Sequence, residues 1–415
     1  MSLYHDHHFH PFGYAALVNG LELMNASDLD EVMRLVKQHG ETVEGPIIGQ
    51  RLNDEGVAEQ RLPTASDIDD LVADRPVLLY RYCGHIGVAN STALRLAGID
   101  ADTPDPEGGS FDRDLTGQPN GILRETAITP VSKALEPLIP PPSDLEVISA
   151  LANLRRMGIG SITGMVSVAG GVWCSVEDEV ETLLRLGPDL PVDVDVLLIT
   201  DSPADLAAAK ERLDGAEGPI RFAGYKDFID GSLGGHTAAM YEPFADRPES
   251  RGTERYRHDR MVEMGKTSLE LGGSVAIHAI GDRANDLALD VHEQLIGEGA
   301  DPSRLRIEHA SVLTEASIER MAHLGVTASV QPAFIASEAT WLEKRLGPER
   351  MNRVYPFRSL LEAGVPLLGG SDSPVELPDP ETGITAAVDR HGVNPDEALT
   401  REQAESMFAP PGEGA

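Results

Sequence analysis

The sequence predicts an α/β protein built on a (β/α)8 TIM barrel, and two observations support this fold class. From residue 159 onward, seven strand-like apolar runs alternate with helix-like segments, which implies that the strands pair in parallel. Residues 4–9 supply an eighth short strand at the start of the chain. Eight strands that alternate with helices are typical of a closed barrel.

The elements expected from residue 159 onward follow one another closely. The strands are predicted at 159–166, 192–199, 221–229, 274–278, 305–309, 326–331 and 365–369. The helices between them are predicted at 176–186, 203–213, 260–271, 283–295, 315–323 and 357–363. Suitable N-caps are Ser202, Asp282 and Thr314, and glycines end several helices at Gly187, Gly272, Gly325 and Gly364.

Residues from 20 to 145 do not keep this rhythm, so we expect a large insertion after the first barrel strand. It holds helical pieces at 29–38, 67–71 and 91–97, strands at 47–52 and 77–82, and a run rich in Gly, Pro and Asp at 100–121. Residues 137–143 resemble a linker back into the barrel, and a shorter irregular insertion is expected at 335–355. The predicted domains are 1–20 (first strand with a metal motif), 21–145 (insertion), 146–405 (rest of the barrel) and 406–415 (tail).

The composition excludes two classes of partner. The 34 basic and 68 acidic residues give a net charge of −34, whereas nucleic acids and anionic membranes need a basic surface. No apolar run approaches the roughly 18 residues of a membrane span. The two cysteines, Cys83 and Cys174, are too few for a disulfide framework, which favours a reducing, cytoplasmic location.

The excess of acidic over basic residues is also typical of proteins adapted to high salt. Only six basic residues are lysines, and an acidic surface with few lysines is similar to that of halophilic proteins, in which salt screens the repulsion. The alternative is an ordinary acidic cytosolic protein.

The first chemical motif is the His-rich segment at residues 6–10. Residues two apart on a strand point to the same face, so His8 and His10 could direct two imidazoles at one metal ion. The alternative is a flexible His-rich terminus.

Three more candidate metal ligands lie at the ends of predicted barrel strands. His278 and His309 each end a strand, and Asp372 follows the last strand closely. Active sites of such barrels lie at the carboxyl ends of the strands, where side chains that are distant in sequence meet. Two imidazoles and a carboxylate at these positions, together with His8 and His10, predict a metal centre.

Lys226 is a further candidate because it lies within an apolar strand. A buried lysine is unfavourable unless it is paired or neutralised, and burial lowers its pKa. A neutral amine can react with carbon dioxide, and the resulting carbamate can bridge two cations. The alternative is an ion pair with Asp227 or Asp230.

Together these motifs resemble those of the amidohydrolase superfamily, and within it the YtcJ-like metal-dependent hydrolases of the amidohydrolase 3 group. The matching segments run in family order at residues 6–11, 84–85, 90–94, 117–121, 224–235, 278–284, 306–310 and 370–376. The string HAIGDRA at 278–284 and the segment around Lys226 are the most specific of them.

This resemblance implies a binuclear metal site for two zinc ions, and a small-molecule substrate. His8, His10 and Asp372 would hold one ion, His278 and His309 would hold the second, and carboxylated Lys226 would bridge them. Hydroxide would attack the carbonyl carbon of an amide-like C–N bond, and Asp372 would move the proton to the leaving nitrogen. His85 and Arg283 are candidates for substrate contact, although Arg283 could instead only pair with a neighbouring carboxylate.

The chain also departs from the family pattern. Relatives usually carry an acidic residue and an aromatic residue where Cys83 and Val88 stand, which affects the expected substrate pocket. The segments that build a small β-domain in relatives are missing from this sequence, so we expect exposed apolar surface that favours a homodimer or lowers the stability of the chain. The alternative functions are a mononuclear hydrolase with unmodified Lys226, or a truncated, non-catalytic barrel with a binding or regulatory role.

Overall fold

The computed structural model describes residues 3–106, 108–139, 142–168 and 178–411. Contacts between Cα atoms divide these residues into two compact units. One unit contains residues 3–12, 144–168 and 178–411, and the other contains the described residues from 13 to 143. The division into four domains that the sequence indicates stays a prediction.

The first strand, β1 (Tyr4–Phe9), coincides with the predicted strand at residues 4–9. Helix α1 (Pro11–Asn19) begins two residues after the end of β1 and was not expected from the sequence. Proline suits the first position of a helix because its missing N–H would have no partner within the helix there. His10 therefore lies between the strand and the helix.

Residues 13–143 form an α/β unit around a mixed sheet. Its strands are β2 (Leu21–Glu22), β3 (Ile47–Leu52), β4 (Val77–Arg81), β5 (Ile86–Ala89), β6 (Gly109–Arg113) and β7 (Pro119–Glu125). Its further helices are α2 (Leu29–Gly40), α3 (Ala65–Asp69), α4 (Ser91–Leu96) and α5 (Ile128–Leu135). Among the described residues the strand order is β2-β3-β4-β5-β7-β6, parallel from β2 to β4 and antiparallel from β4 to β6.

The sequence predicted only two of these strands, β3 and β4. Strands β6 and β7 lie in or next to the run at 100–121, where no strand was expected. They form a hairpin in which the Asp114 N–H donates to the Gln118 carbonyl at 2.8 Å, and Gly117 adopts a left-handed φ of 85°. Aspartate and glycine favour such turns, so the turn residues obscured the short strands on either side.

The second unit is the predicted barrel. Helix α6 (Asp144–Arg156) leads into its strands, which are β8 (Ile159–Ser167), β9 (Asp193–Ile199), β10 (Ile220–Phe228), β11 (Ser274–Ala279), β12 (Leu305–His309), β13 (Thr327–Val330) and β14 (Leu367–Gly369). With β1, these described strands form an eight-stranded parallel sheet in the order β1-β8-β9-β10-β11-β12-β13-β14. The α/β barrel prediction is confirmed, and the strand limits agree to within two residues.

The barrel closes between β1 and the segment that follows β14. The Asp372 N–H donates to the His8 carbonyl at 2.8 Å, and the His10 N–H donates to the Ser373 carbonyl at 2.9 Å. These two hydrogen bonds bring the ends of the first and last strands to the same edge of the barrel.

The helices around the barrel also follow the prediction, with two corrections. They are α7 (Glu179–Leu186), α8 (Pro203–Asp214), α9 (His258–Glu270), α10 (Asp282–Gly297), α11 (Glu315–Leu324), α12 (Phe334–Glu338), α13 (Leu342–Leu346), α14 (Phe357–Glu362), α15 (Pro380–Asp389) and α16 (Arg401–Ser406). The side chains of Ser202 and Thr314 are N-caps as predicted, but Asp282 is the first residue of its helix and Gly281 occupies the N-cap position. The segment at 335–355 is not irregular, because most of α12 and all of α13 lie in it.

Two further points concern these helices. The first two residues of the helix predicted at 176–186 lie outside the described residues. In the part of the chain that the structure describes, no helix is both long enough and apolar enough to cross a membrane.

Gly370 lies where the barrel closes, and the packing there requires a glycine. A Cβ atom at this position would lie 2.6 Å from the His8 backbone nitrogen and 2.8 Å from the His8 Cβ. Backbone atoms of β1 cannot move away without disturbing the strand pairing. The glycine therefore allows β1 and the segment after β14 to approach each other.

We predict that Gly370→Ala lowers the free energy of unfolding by about 1–3 kcal/mol, because the added methyl group overpacks the seam at His8. Gly297→Ala is the matched control, since Gly297 ends α10 and a Cβ there would meet no atom within 4 Å. Urea unfolding followed by circular dichroism measures both variants. Equal stability of the two variants would contradict the close approach at Gly370.

Candidate metal centre

The closure of the barrel places a carboxylate against two imidazoles. Asp372 Oδ1 lies 3.2 Å from His8 Nε2 and 3.2 Å from His10 Nε2. His309 joins this group, because His8, His309 and Asp372 each offer one ligand atom and these atoms lie within 4.8 Å of one another. The side chains of His8, His309 and Asp372 are buried. Their donors are those expected for a first-row divalent ion.

Two of these side chains stand on left-handed backbone. The φ angle is 75° at His309 and 57° at Asp372, and it is also positive at Ala310. A residue other than glycine in this region costs of the order of 1–3 kcal/mol, and such strain concentrates at functional sites. Here it turns the chain at the end of β12 and after β14.

His278, at the end of β11, lies beside this group. Its ring centroid is 4.4 Å from that of His309, with the rings edge to face. Its Nε2 lies 3.0 Å from the Gly231 carbonyl and 3.3 Å from Asp230 Oδ1. The Asp230 carboxylate itself accepts the backbone N–H groups of Ala239, Ile280 and Gly281 at 2.8–3.0 Å. Asp230 thus ties the chain after β10 to the chain after β11.

Lys226 is buried within β10, as the sequence predicts. Its Nζ lies 3.5 Å from the centre of the Phe228 ring and 3.3 Å from the Asp227 carbonyl. It forms no ion pair with a carboxylate in the described part of the chain, so the alternative pairing with Asp227 or Asp230 is absent. Burial lowers the pKa of Lys226 to about 7, although the charges of Glu308 and Asp372 act against this change.

The cluster is electrostatically polarised. Burial alone would raise the pKa of Asp372, but the charge of His8 and the hydrogen bonds from His10 and His8 hold it well below its usual range. Burial also opposes protonation of His8, yet Asp372 and Glu308 outweigh it and raise the pKa of His8. Burial and the neighbouring His278 hold the pKa of His309 well below its usual range. The structure therefore sets an ionised carboxylate among imidazoles.

The two predicted substrate residues lie in different units. Arg283 is the second residue of α10 in the barrel unit, it is half-exposed, and its Nε donates to Glu254 at 2.8 Å. His85 lies in the unit of residues 13–143, where its Nδ1 is 2.9 Å from Glu125 Oε2. The carboxylate pairing that was the alternative for Arg283 is present, and a substrate role for either residue stays a prediction.

Sequence reasoning missed the residues that contact the second nitrogen of two imidazoles. Glu308 Oε2 lies 2.5 Å from His8 Nδ1, and Gln331 Oε1 lies 2.6 Å from His309 Nδ1. Glu308 stands in the motif at 306–310, so its signal was visible but only His309 was given a role. Gln331 ends a predicted strand and carried no signal beyond that position.

Comparison with known proteins identifies the group to which this site belongs. The family model described as "Amidohydrolase family" matches residues 5–411. The chain belongs to the amidohydrolase family. This membership identifies a hydrolase that acts on carbon–nitrogen bonds and confirms the resemblance seen in the sequence.

Individual amidohydrolase relatives agree with this assignment. The putative amidohydrolase YtcJ of Bacillus subtilis (strain 168) is 31% identical over 386 residues, which cover 92% of this chain and 72% of the relative. N-substituted formamide deformylase of Arthrobacter pascens is 27% identical over 397 residues, which cover 92% and 72% of the two chains. A crystal structure of an uncharacterized metal-dependent hydrolase from Pyrococcus horikoshii superposes with a TM-score of 0.73 and 28% identity, covering 98% of this chain and 80% of that one.

The buried amine gives a prediction about pH. Because the pKa of Lys226 falls from 10.5 to about 7 on folding, the unfolded chain binds more protons than the folded one between these values. Stability should therefore rise with pH across this window, and Lys226→Met should remove that rise. Urea unfolding of the metal-free protein in carbon dioxide-free buffer at several pH values measures the slope.

Lys266→Met is the control for losing a lysine, since Lys266 is exposed and paired with Glu298. It should keep the wild-type dependence on pH. If Lys226→Met also kept the wild-type slope, Lys226 would not be neutral in the folded protein.

Proposed function

We propose that this chain is a metal-dependent amidohydrolase that hydrolyses the amide-like C–N bond of a small N-acyl or N-formyl amine. The observation that carries the proposal is Asp372 Oδ1, buried 3.2 Å from two imidazole nitrogens at the edge where the barrel closes. Active sites of (β/α)8 barrels lie at the carboxyl ends of the strands, which is where Asp372, His278 and His309 stand.

The residues present fit a divalent metal. His8, His10 and Asp372 would hold one ion and His278 and His309 a second, and imidazole with carboxylate suits zinc. A lysine amine has a single nitrogen and cannot bridge two ions as a carboxylate can. A bridging role for Lys226 therefore requires its carbamate, which has two oxygens. The neutral amine, which burial favours at Lys226, is the form that reacts with carbon dioxide. We therefore propose two zinc ions and a carboxylated Lys226.

The reaction needs a nucleophile, a polarised carbonyl and a proton carrier. When bound, the metal supplies Lewis acidity, which lowers the pKa of a water and polarises the substrate carbonyl. Asp372 supplies the proton transfer: its ionised carboxylate accepts a proton from the attacking water and then donates it to the leaving nitrogen. His8 and His10 both place Nε2 within 3.2 Å of Asp372 Oδ1, so the three side chains would share one ion and the carboxylate would stay beside it for this exchange.

The substrate class rests on a relative. The Arthrobacter pascens protein is named for removing formyl groups from N-substituted formamides, and it aligns with 92% of this chain. We infer a related amide as substrate here. Cys83 and Val88, which depart from the family pattern, both lie in the unit of residues 13–143, and Val88 is fully buried in its apolar core, so Val88 does not line a substrate pocket.

The proposal is tested on purified protein by metal analysis followed by hydrolysis of N-formyl and N-acyl amines. We expect two metal ions per chain, loss of turnover in the presence of a chelator, and recovery when zinc is restored. One ion per chain with turnover would favour the mononuclear hydrolase with unmodified Lys226. No bound ion and no turnover after zinc addition would contradict an enzyme and favour the non-catalytic barrel.

The Asp372→Asn variant tests the role of Asp372 as the proton carrier. Asparagine tolerates the left-handed backbone of this position, so the barrel should stay folded. Loss of a general acid and base typically costs about 10²–10⁴-fold, and turnover should fall by that factor. Asp290→Asn, which changes an exposed carboxylate paired with Arg320, should keep full turnover. Retained activity in Asp372→Asn would refute the proton role.

We further propose that the protein works in a cytoplasm rich in salt. With a net charge of −34, repulsion between carboxylates destabilises the folded chain, and dissolved salt screens it. The melting temperature should rise from low to molar KCl, whereas an equal osmolality of sucrose controls for excluded-solute effects. A rise no larger in KCl than in sucrose would point to an ordinary acidic protein.

A further inference from the structure

Glu308 is a fully buried carboxylate that the proposed reaction does not use. It precedes His309 on β12, and side chains of neighbouring strand residues normally point to opposite faces. At His309 the backbone leaves the strand conformation, with φ of 75°, so that both side chains meet the same cluster. Glu308 reaches across the barrel to β1, where it contacts His8.

Both oxygens of Glu308 have partners. Oε2 accepts the His8 Nδ1–H with an N···O distance of 2.5 Å, and Oε1 accepts the Nε–H of Arg306. Arg306 also donates from Nη2 to the His7 carbonyl at 2.7 Å. The pair Arg306–Glu308 on β12 therefore holds β1 twice, once at the His7 backbone and once at the His8 ring.

This arrangement decides which nitrogen of His8 faces the cluster. An ionised carboxylate only accepts hydrogen bonds, so Nδ1 must carry a proton. The other nitrogen, Nε2, is the one that lies 3.2 Å from Asp372. When the proton stays on Nδ1, the neutral His8 ring has its lone pair on Nε2. This is the tautomer that can bind a metal through Nε2.

Two other roles for Glu308 fit the structure less well. As a metal ligand it would need an oxygen directed at the cluster, but both oxygens already accept from His8 and Arg306. In the residues that the structure describes, the grouped ligand atoms come from His8, His309 and Asp372, without Glu308. As a purely structural ion pair it would need only Arg306, and the contact to His8 would have no consequence.

We propose that Glu308 is a positioning residue, held by Arg306, that fixes the tautomer and orientation of His8 for metal binding. This proposal rests on the proposed function, because it takes His8 as a metal ligand. It extends that function to two residues outside the ligand set. The orientation of the His8 ring is fixed by its contact with Glu308, which lies 300 positions later in the sequence.

The main test is zinc affinity, measured by competition with a chromophoric chelator. In Glu308→Gln the amide has one oxygen for two donors. If that oxygen accepts from Arg306, the NH2 group faces His8 Nδ1. It then favours the tautomer with its proton on Nε2, which cannot bind the metal through that nitrogen. We expect zinc affinity to fall by about 10–100-fold, the usual effect of losing such a partner. Glu381→Gln, which changes an exposed carboxylate paired with Arg401, should bind zinc like the wild type.

A double variant separates tautomer control from simple packing. In Arg306→Met with Glu308→Gln, no guanidinium competes for the amide oxygen, which can then accept from His8 Nδ1. Zinc affinity should recover toward the wild-type value, although the contact to the His7 carbonyl is lost. If the pair were only structural, the double variant would bind zinc no better than Glu308→Gln alone. Unfolding of the metal-free variants in urea shows whether each is folded.

The outcomes are distinguishable. If the wild type binds no zinc, the proposed function fails. If the wild type binds zinc and Glu308→Gln binds it within about twofold, only the positioning role fails. Should Glu308→Gln not fold, long-range ¹H–¹⁵N spectra of the zinc-loaded wild type decide the question, with His8 assigned from a His8→Gln variant. We expect a proton on Nδ1 of His8, and a proton on Nε2 would overturn the proposal.

Discussion

Closure of the barrel between its first and last strands brings the candidate metal ligands together. Two backbone hydrogen bonds join His8 and His10, at the end of β1, to Asp372 and Ser373, after β14. They bring into contact residues that are separated by almost the whole chain. Gly370 permits this approach because a side chain there would strike His8. A carboxylate and two imidazoles meet at the site because the first and last strands are neighbours.

Burial makes the ionised groups of this cluster energetically unfavourable. Ionised side chains in a protein interior lose their hydration, and only partners or a bound cation offset that loss. The carboxylates of Asp372 and Glu308 are compensated by His8, His10 and Arg306. Lys226 has no such partner among the described carboxylates, which is why burial favours its neutral form. A cluster arranged in this way favours a cation at its centre.

Most of the barrel could be predicted from the sequence, because buried parallel strands are continuous apolar runs separated by helices with clear caps. The positions of His278, His309 and Asp372 at strand ends were visible for the same reason. Strands β5, β6 and β7 were missed because they are short, antiparallel and interrupted by turn residues. The sequence did not reveal that Glu308 and Gln331 contact the imidazoles of His8 and His309. These contacts join different strands, and the spacing of residues along one strand does not indicate them.

The proposed hydrolase requires these side chains to surround a metal ion. Anomalous diffraction at the zinc absorption edge, from crystals of the protein grown with zinc, locates any bound zinc ion. We expect a peak about 2.0–2.2 Å from nitrogens of His8 and His10 and an oxygen of Asp372, and a second peak beside His278 and His309. A map with zinc bound elsewhere on the protein and no peak at this cluster would contradict it.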